Sequence, residues 1–220
     1  MTTQVAARRG IPDATVSRLP SYLSALTGLA TAGTTRVSSE ELSALVGVGS
    51  AKLRKDLSHL GSYGVRGVGY DVERLTGEIS LALGLAREWP VAIVGMGNLG
   101  RALAAYGGFA ERGFTVIAAL DRDPALHGSL VAGLTVRPMS ALPDLVATQG
   151  LAIGVIATPA ASAQDVADEL VASGVRAILS FASTMVRVPE TVTLRAVDLA
   201  TELQILAFHG LRHATEAVTR

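Results

Sequence analysis

The fold of the second half of this chain is decided by residues 91–100, VAIVGMGNLG. The run Val91 to Val94 is continuously apolar, which is typical of a parallel strand buried on both faces. A Gly-x-Gly-x-x-Gly motif follows at once, and the residues from Leu103 to Glu111 are predicted to form a helix. The order of strand, glycine motif and helix indicates a dinucleotide-binding Rossmann domain.

The glycine motif supplies the first set of predicted cofactor-binding residues. Gly95 permits a tight turn, and Gly97 lets the backbone approach a pyrophosphate closely. Gly100 lets the helix pack against the strand, and the helix N-terminus favours phosphate charge. The predicted contacts are all six motif positions: Gly95, Met96, Gly97, Asn98, Leu99 and Gly100.

An acidic residue stands where such a site requires one. Asp121 follows the second predicted strand, Phe114 to Leu120, and lies 21 positions after Gly100. Its carboxylate would accept hydrogen bonds from the adenosine ribose and would repel a 2′-phosphate, which favours NAD(H) over NADP(H). Arg122, its neighbour, is a further candidate for contact with the cofactor.

Two more strands are predicted at 153–157 and 177–181, with a helix at 163–173 between them. This β-α-β-α-β series predicts an α/β doubly wound parallel sheet with right-handed crossovers. Ligands bind at the carboxyl ends of strands in such sheets, although an ordinary strand-to-helix turn is the alternative at each position. The cofactor candidates at these ends are Thr158, Pro159, Ser180, Phe181 and Ala182.

The first half of the chain has a pattern that predicts short helices. A Ser-x-x-Glu capping box at Ser38 begins one helix, and a turn at 47–49 leads to another at 51–60, with Ser50 as the expected cap. Leu53, Leu57 and Leu60 form one apolar stripe on that helix, so its polar side chains face outward. This arrangement fits the recognition helix of a helix-turn-helix, and a solvated basic face is the alternative. The predicted DNA-binding residues are Ser50, Lys52, Arg54, Lys55 and Ser58.

The segment that follows, residues 61–70, is dense in glycine and alternates small with larger residues. That pattern predicts a β-hairpin, which directly after a recognition helix would form the wing of a winged helix. Arg66 lies near the tip of the predicted hairpin. Arginine is favoured in a narrow minor groove, so Arg66 is the sixth predicted DNA contact.

The composition excludes several classes of protein. The chain is 49% hydrophobic and 17% charged, which fits a packed globular protein and not a disordered one. It has no cysteine and only scattered histidines, so no metal site is predicted. No apolar run is long enough for a membrane helix, and the N-terminus lacks the apolar stretch of a signal peptide. A cytoplasmic location without a membrane partner is therefore expected.

No catalytic residue is predicted. The only two lysines, Lys52 and Lys55, lie in the first half, and no Ser–His or His–Asp pair stands near the expected nicotinamide. Residues 185–220 predict one strand and one helix, too little for a substrate domain. These features favour a cofactor-sensing binding protein over an enzyme. The alternatives are a small NAD-dependent oxidoreductase and a CoA-binding protein with a similar glycine-rich turn.

Several segments together resemble the Rex family of bacterial redox-sensing transcriptional repressors, in particular its actinobacterial branch. They are SAKLRKDL at 50–57, GSYG at 61–64, GMGNLG at 95–100, YGGF at 106–109 and ELQILAFH at 202–209. The resemblance extends from about Ile11 to His213. It implies a winged-helix DNA-binding domain at 1–84, a Rossmann NAD(H)-binding domain at 85–196 and a C-terminal helix and tail at 197–220.

The resemblance also implies a mechanism. Members of the family form a homodimer with swapped C-terminal helices, bind double-stranded, pseudo-palindromic operator DNA, and release it when NADH replaces NAD+. Residues like Tyr106 and Asp198 form a hydrogen bond that responds to closure of the dimer. Leu199 stands where some members have an aromatic residue, and an aliphatic side chain there can still shield the nicotinamide. The family commonly has Asn-Phe-Ala-Pro where this chain has SFAS at 180–183.

Overall fold

The computed structural model describes residues 10–61 and 69–218, with side-chain surroundings as far as Leu211. The chain divides into two compact units between Arg87 and Glu88. We call the residues up to Arg87 the head and those from Glu88 onward the body. Arg66 and nearly all of the predicted hairpin lie outside the described residues, so the predicted wing stays a prediction.

The described part of the head consists of short helices and two short strands. Strands β1 and β2 pair antiparallel, with Val37 opposite Tyr70. In chain order the elements are α1 (Asp13–Val16), α2 (Leu19–Thr31), β1 (Arg36–Val37), α3 (Ser39–Val46), α4 (Ser50–Ser58), β2 (Tyr70–Asp71) and α5 (Val72–Ala82).

The predicted capping box begins α3. The Ser38 hydroxyl accepts the backbone N–H of Glu41 at 3.1 Å, and the Glu41 carboxylate accepts the backbone N–H of Ser38 at 2.8 Å. The predicted cap of α4 is wrong, because α4 begins with Ser50 itself. Gly49 occupies the cap position, and it has no side chain that could bond to the helix.

The apolar stripe of α4 packs into the core of the head. Leu53 and Leu57 are buried and Leu60 is half-buried, as the leucine spacing predicts. They share a cluster with Leu26 of α2 and Ile79 of α5. Because α4 is held by one face, its other face lies at the surface of the head.

The body is built on a seven-stranded sheet with the order β5-β6-β4-β3-β7-β8-β9. Every neighbouring pair is parallel except β5 and β6. The chain runs outward from central β3 in one direction and then, from β7, in the other, which is the doubly wound Rossmann order. The strands are β3 (Trp89–Val94), β4 (Phe114–Leu120), β5 (Leu130–Val131), β6 (Leu134–Arg137), β7 (Ile153–Ile156), β8 (Ala177–Ser180) and β9 (Thr193–Ala196).

Four α-helices accompany these strands in the described part of the body: α6 (Asn98–Ala104), α7 (Leu142–Gln149), α8 (Ala160–Ala172) and α9 (Leu199–Val218). Helix α6 is shorter than its prediction, which extended to Glu111. The glycine pair Gly107-Gly108 follows it, and a Cβ on Gly108 would lie 2.5 Å from the Tyr106 ring. Glycine is a poor helix former, so a pair of glycines favours the end of the helix before it.

Side chains cover both faces of β3, which explains its continuous apolar run. Ala92 and Val94 belong to a core cluster with Leu170 of α8. Val91 and Ile93 belong to a second cluster on the other face. A parallel strand buried on both sides has no polar face to present, so its sequence does not alternate.

Helix α9 is 20 residues long and exposed. Every side chain from Leu199 to Leu211 is exposed within the single chain, including several large apolar ones. An apolar helix face of this kind is normally covered by another protein surface. Among the described helices, α9 included, none combines the length and apolar character that a membrane span requires.

Candidate nucleotide cleft and nucleic-acid interface

A cleft of about 360 Å³ lies at the carboxyl ends of β3, β4 and β7. These strands meet where the order of the sheet reverses, which is the position where open α/β sheets bind ligands. The cleft brings together eight predicted cofactor residues: Gly95, Gly97, Asn98, Leu99, Asp121, Arg122, Thr158 and Pro159. Val94, Ala157 and Ser162 also line it, and no motif signalled them.

The three motif glycines have three different surroundings. Gly95 has a φ of +99°, and a Cβ there would lie 2.8 Å from the carbonyl oxygen of Ala157. A Cβ on Gly100 would lie 1.7 Å from the carbonyl oxygen of Gly95, so only glycine allows α6 to approach the loop. A Cβ on Gly97 would meet no described atom within 4 Å and would project into open space. Gly95 and Gly100 are therefore required by the protein itself, whereas the open space at Gly97 fits a bound ligand.

Asp121 is tied to the glycine loop. Its Oδ2 accepts the backbone N–H of Met96 at 2.6 Å, and its Oδ1 accepts the backbone N–H of Asp123 at 2.8 Å. A carboxylate offers about four acceptor positions, so about two remain for ligand hydroxyls. The position and remaining acceptor capacity of Asp121 fit a ribose contact.

Thr158 contributes a buried hydroxyl to the lining of the cleft. Its Oγ1 is buried and has no hydrogen-bond partner among the described residues. A buried hydroxyl left unpaired costs about 1–3 kcal/mol, so native proteins rarely tolerate one without reason. A polar ligand in the cleft would satisfy this hydroxyl, and the donor set therefore fits a nucleotide.

The remaining predicted cofactor residues lie outside the described lining of the cleft. Met96 and Gly100 are buried beneath the loop. Ser180 is 1% exposed at the end of β8, and its hydroxyl accepts the backbone N–H of Ala182 at 3.3 Å. Phe181 is half-buried and packs against the core cluster that contains Ile93. Contact between a cofactor and residues 180–182 stays a prediction.

Arg122 lines the cleft but is already paired. Its Nη1 lies 3.2 Å from Oδ2 of Asp165, and its Nη2 donates to Oε1 of Glu169. Partial burial opposes the charged form, but the hydrogen bonds to Glu169 and Asp165 outweigh it and raise the pKa of Arg122. Both carboxylates belong to α8, an arrangement that sequence spacing alone did not signal.

On the head, α4 presents the polar face that the leucine stripe predicts. Lys52, Arg54, Lys55 and Ser58 are exposed, and Ser50 is half-buried at the first position of the helix. Within the described ranges neither lysine forms an ion pair. Their ammonium groups are thus available to phosphates in a DNA backbone.

Arg54 differs from the two lysines. Its Nη1 donates to the Ser39 hydroxyl and to the Glu40 carboxylate, both at 2.9 Å, at the start of α3. The ion pair between Arg54 and Glu40 is exposed, so it contributes little to stability. Arg54 can therefore leave Glu40 for an anion that binds it more strongly. Contact between Arg54 and DNA would require it to leave these partners.

The inner face of α4 carries a charged group that the leucine spacing did not predict. Asp56 is 3% exposed, and its two carboxylate oxygens accept four hydrogen bonds from donors of the first part of the head. The Arg18 guanidinium donates two, at 2.6 and 2.7 Å, the Tyr22 hydroxyl one at 2.7 Å and the Thr15 hydroxyl one at 3.0 Å. We call these four residues the Asp56 cluster.

The Asp56 cluster shifts the acidity of its members. The Arg18 hydrogen bonds outweigh burial and hold the pKa of Asp56 at about 2. Burial, followed by the hydrogen bond to Asp56, raises the pKa of Tyr22 to about 12. The cluster is therefore ionised as an Arg18–Asp56 pair at neutral pH and joins α4 to α1 and α2.

The predicted switch residues are exposed within one chain. The Tyr106 ring is 54% exposed and packs edge-on against Phe109, with ring centroids 5.1 Å apart. The Asp198 carboxylate accepts the backbone N–H of Ala200 at 2.9 Å and the Thr201 hydroxyl at 3.1 Å, and so caps α9. Leu199 is 60% exposed. A role for these residues in a switch stays a prediction.

Among the described residues, no three histidine or carboxylate side chains converge as a metal site would require.

Two family models match parts of this chain. The family model described as "Putative DNA-binding protein N-terminus" matches residues 10–58, and the model described as "CoA binding domain" matches residues 86–184. The chain is 61% identical to the "Redox-sensing transcriptional repressor Rex" of Streptomyces coelicolor, over 94% of this chain and 81% of that protein.

Solved structures of a Rex-family repressor called RSP resemble most of the chain. RSP in complex with beta-NAD+ and operator DNA has a TM-score of 0.86 and 33% identity, covering 94% of this chain and 95% of that one. RSP in complex with beta-NADH has a TM-score of 0.86 and 31% identity, covering 96% and 99%.

Proposed function

The chain belongs to the Rex family of redox-sensing transcriptional repressors, and we propose that it binds operator DNA through α4 and releases it when NADH occupies the cleft. As a member of that family it is a transcriptional repressor and not an enzyme. The proposal depends on the presence of two features in one chain. The lysines of α4 are exposed, and one cleft is lined by both Asp121 and Thr158, whose hydroxyl has no partner among the described residues.

In the cleft, the chain's own groups fit an NAD(H) molecule. Asp121 would accept hydrogen bonds from the adenosine ribose, and the open space at Gly97 would let the pyrophosphate approach the backbone. The Thr158 hydroxyl would gain the hydrogen-bond partner that it lacks among the described residues. We propose the other predicted positions, from Met96 to Ala182, as contacts of the same ligand.

On DNA, Lys52 and Lys55 would neutralise phosphates, and Ser50, Arg54 and Ser58 would contact the backbone or base edges. Arg66 is proposed as a minor-groove contact on sequence grounds alone, because it lies outside the described residues. A homodimer places two recognition helices about one turn of DNA apart, which predicts a pseudo-palindromic operator. A protein with this role is expected in the cytoplasm.

The exposed apolar side chains of α9 support a homodimer in which the two C-terminal helices are exchanged. Monomeric proteins rarely expose a contiguous apolar surface of this kind. Leu203 and Leu206 are 66% and 65% exposed in the single chain, on the same side of the helix as Leu199. In such a dimer Tyr106 would meet Asp198 of the partner subunit, and the partner's Leu199 would lie near the nicotinamide.

The switch is a coupling free energy between two ligands. If NADH binds the closed dimer more tightly than the DNA-competent one, DNA must weaken NADH binding by the same factor. A coupling of about 1–3 kcal/mol changes affinity about 5–150-fold. The nicotinamide ring of NAD+ is cationic and that of NADH is neutral, so an apolar pocket favours the reduced form.

The test is a fluorescence-anisotropy titration of the dimer onto a pseudo-palindromic duplex from its own promoter region, repeated with NADH, NAD+, NADPH and coenzyme A. We expect release by NADH, opposition by excess NAD+, and no release by NADPH. Coenzyme A is the control suggested by the family model at 86–184. Operator binding that is indifferent to NADH would contradict the switch, and release by coenzyme A alone would reassign the cleft.

A further inference from the structure

Arg122 gives the cleft a feature that its proposed NAD(H) specificity does not explain. An arginine next to the ribose-binding acid is the group that dinucleotide sites use to hold the 2′-phosphate of NADP(H). Arg122 directly follows Asp121 and lines the same cleft. From the sequence alone, Arg122 would therefore favour NADP(H), whereas Asp121 favours NAD(H).

The structure places two carboxylates on Arg122 from another element. Asp165 and Glu169 lie four residues apart on α8, so both project from one face of that helix. Nη1 of Arg122 lies 3.2 Å from Asp165, and Nη2 donates to Glu169. Both terminal nitrogens of the guanidinium are thus directed to α8.

We propose that Asp165 and Glu169 are specificity-determining residues that hold Arg122 against α8 and thereby exclude NADP(H) from the cleft. The proposal rests on the proposed binding of NAD(H) at Asp121. Its physical basis is competition, because a guanidinium binds phosphate best when two N–H groups point at it together. Each terminal nitrogen keeps a second N–H, but while the first bonds to Asp165 or Glu169 the guanidinium is held toward α8 and does not turn both nitrogens together to a 2′-phosphate.

Charge acts in the same direction. Asp121, Asp165 and Glu169 carry three negative charges against the single positive charge of Arg122, a net charge of −2 for these four groups. A phosphate monoester adds about −1.5 to −2 at neutral pH, so this end of the cleft repels it. Arg122 by itself would have reduced that repulsion, and the two carboxylates of α8 cancel its effect.

A merely structural role for these ion pairs makes a different prediction. The side chains of Arg122, Asp165 and Glu169 are 38%, 68% and 42% exposed, and ion pairs at such exposure contribute little to stability. If the pairs served only to attach α8, their removal would lower the melting temperature and affect the two cofactors equally. The ratio of the two dissociation constants separates the two roles.

The experiment compares NADH and NADPH binding to the full-length protein by isothermal titration calorimetry at about 0.15 M salt, where exposed charges are screened as in the cell. The variants are D165N/E169Q and the same pair with R122A. For D165N/E169Q we expect the ratio Kd(NADPH)/Kd(NADH) to fall about 10-fold, roughly the worth of two exposed ion pairs. R122A in that background should restore the ratio.

The matched control is D168N, which removes a charge from the same helix. Asp168 accepts a hydrogen bond from Gln164 at 2.9 Å, and we expect its neutralisation to leave the ratio within about twofold. An unchanged ratio in D165N/E169Q, with NADH still bound as in the wild type, overturns the inference and leaves the proposed function intact. A gain that persists without Arg122 also overturns it. Failure of the wild-type protein to bind NADH overturns the proposed function itself.

Discussion

Single residues fix the position of the two binding surfaces. Asp56 turns inward from α4 and accepts four hydrogen bonds, so it orients α4 through contacts that do not involve the exposed basic side chains. A buried carboxylate without partners would be strongly destabilising, and Arg18 supplies the compensating charge. Lys52 and Lys55 thus face outward from a helix that is held by leucines and by an ion pair.

We expect Asp56→Asn to lower the free energy of unfolding by about 2–4 kcal/mol, because it leaves the Arg18 guanidinium without its counter-charge. The wild-type contribution depends on pH in one direction. The pKa of Asp56 is about 2 when folded and 3.8 as the unperturbed value, so the contribution is present above about pH 4 and lost as the pH falls to 2. Urea unfolding followed by circular dichroism from pH 5 to pH 2 measures this loss.

The acid-dependent part should amount to about 2 kcal/mol and should be missing from Asp56→Asn. Asp13→Asn, a change at an exposed carboxylate of α1, is the control and should retain the decline of the wild type. An Asp56→Asn protein that loses stability between pH 5 and pH 2 as steeply as the wild type would show that the cluster is not the source.

Two glycines of the same motif should respond in opposite ways to alanine. Gly100→Ala places a Cβ 1.7 Å from a backbone oxygen, so we expect a loss of at least about 1–3 kcal/mol in stability. Gly97→Ala meets no described atom within 4 Å, and its φ of −72° suits alanine, so the melting temperature should not fall. Its NADH affinity should fall at least about 10-fold, because the methyl group occupies ligand space.

Thermal unfolding and NADH titration of the two variants check this pair of expectations. Gly97→Ala with unaltered NADH affinity would mean that the pyrophosphate passes elsewhere, and a fully stable Gly100→Ala would mean that the loop can shift.

At the scale of elements, α4 has one face packed into the head and one face exposed. Leucines and the Asp56 cluster fill one side, and the exposed basic side chains fill the other. Arg54 is held by α3, whereas Lys52 and Lys55 form no ion pair within the described ranges. The two lysines are therefore expected to contribute the salt-dependent part of DNA affinity.

The double variant K52A/K55A tests this division. Each lysine that neutralises a phosphate contributes about 0.9 to the slope of log affinity against log salt concentration, so the double variant should lower the slope by about 2. Anisotropy titrations from low to high salt measure it, with Arg176→Ala in the body as the control that should keep the wild-type slope. A slope unchanged in K52A/K55A would place the phosphate contacts on other side chains.

At the scale of the whole molecule, the head and the body have separate hydrophobic clusters. The described residues of the head share one hydrophobic cluster, and those of the body form two others on the two faces of the sheet. DNA chemistry and nucleotide chemistry thus belong to separately packed units. Helix α9 adds an exposed apolar face that belongs to none of these three clusters.

We expect the double variant L203E/L206E to abolish the homodimer, because it places charges on the apolar face of α9. Its mass by size-exclusion chromatography with light scattering should be that of one chain, and its operator affinity should fall accordingly. Gln204→Glu adds a charge to an exposed position of the same helix and should remain dimeric. A dimeric L203E/L206E protein would place the interface on another surface.

The amino-acid sequence by itself determined the fold class, the glycine loop, the acid at position 121 and the outward face of α4. These features depend on local periodicity and short spacing, which specify a residue's face and its place relative to its neighbours. Only the tertiary structure decided the Asp56 cluster, the pairing of Arg122 with α8, and the unpartnered hydroxyl of Thr158. The bonded residues of the first two lie 34 to 47 positions apart in the chain, and the Thr158 hydroxyl has no partner among the described residues. Only the packing of distant elements decides which of these groups meet.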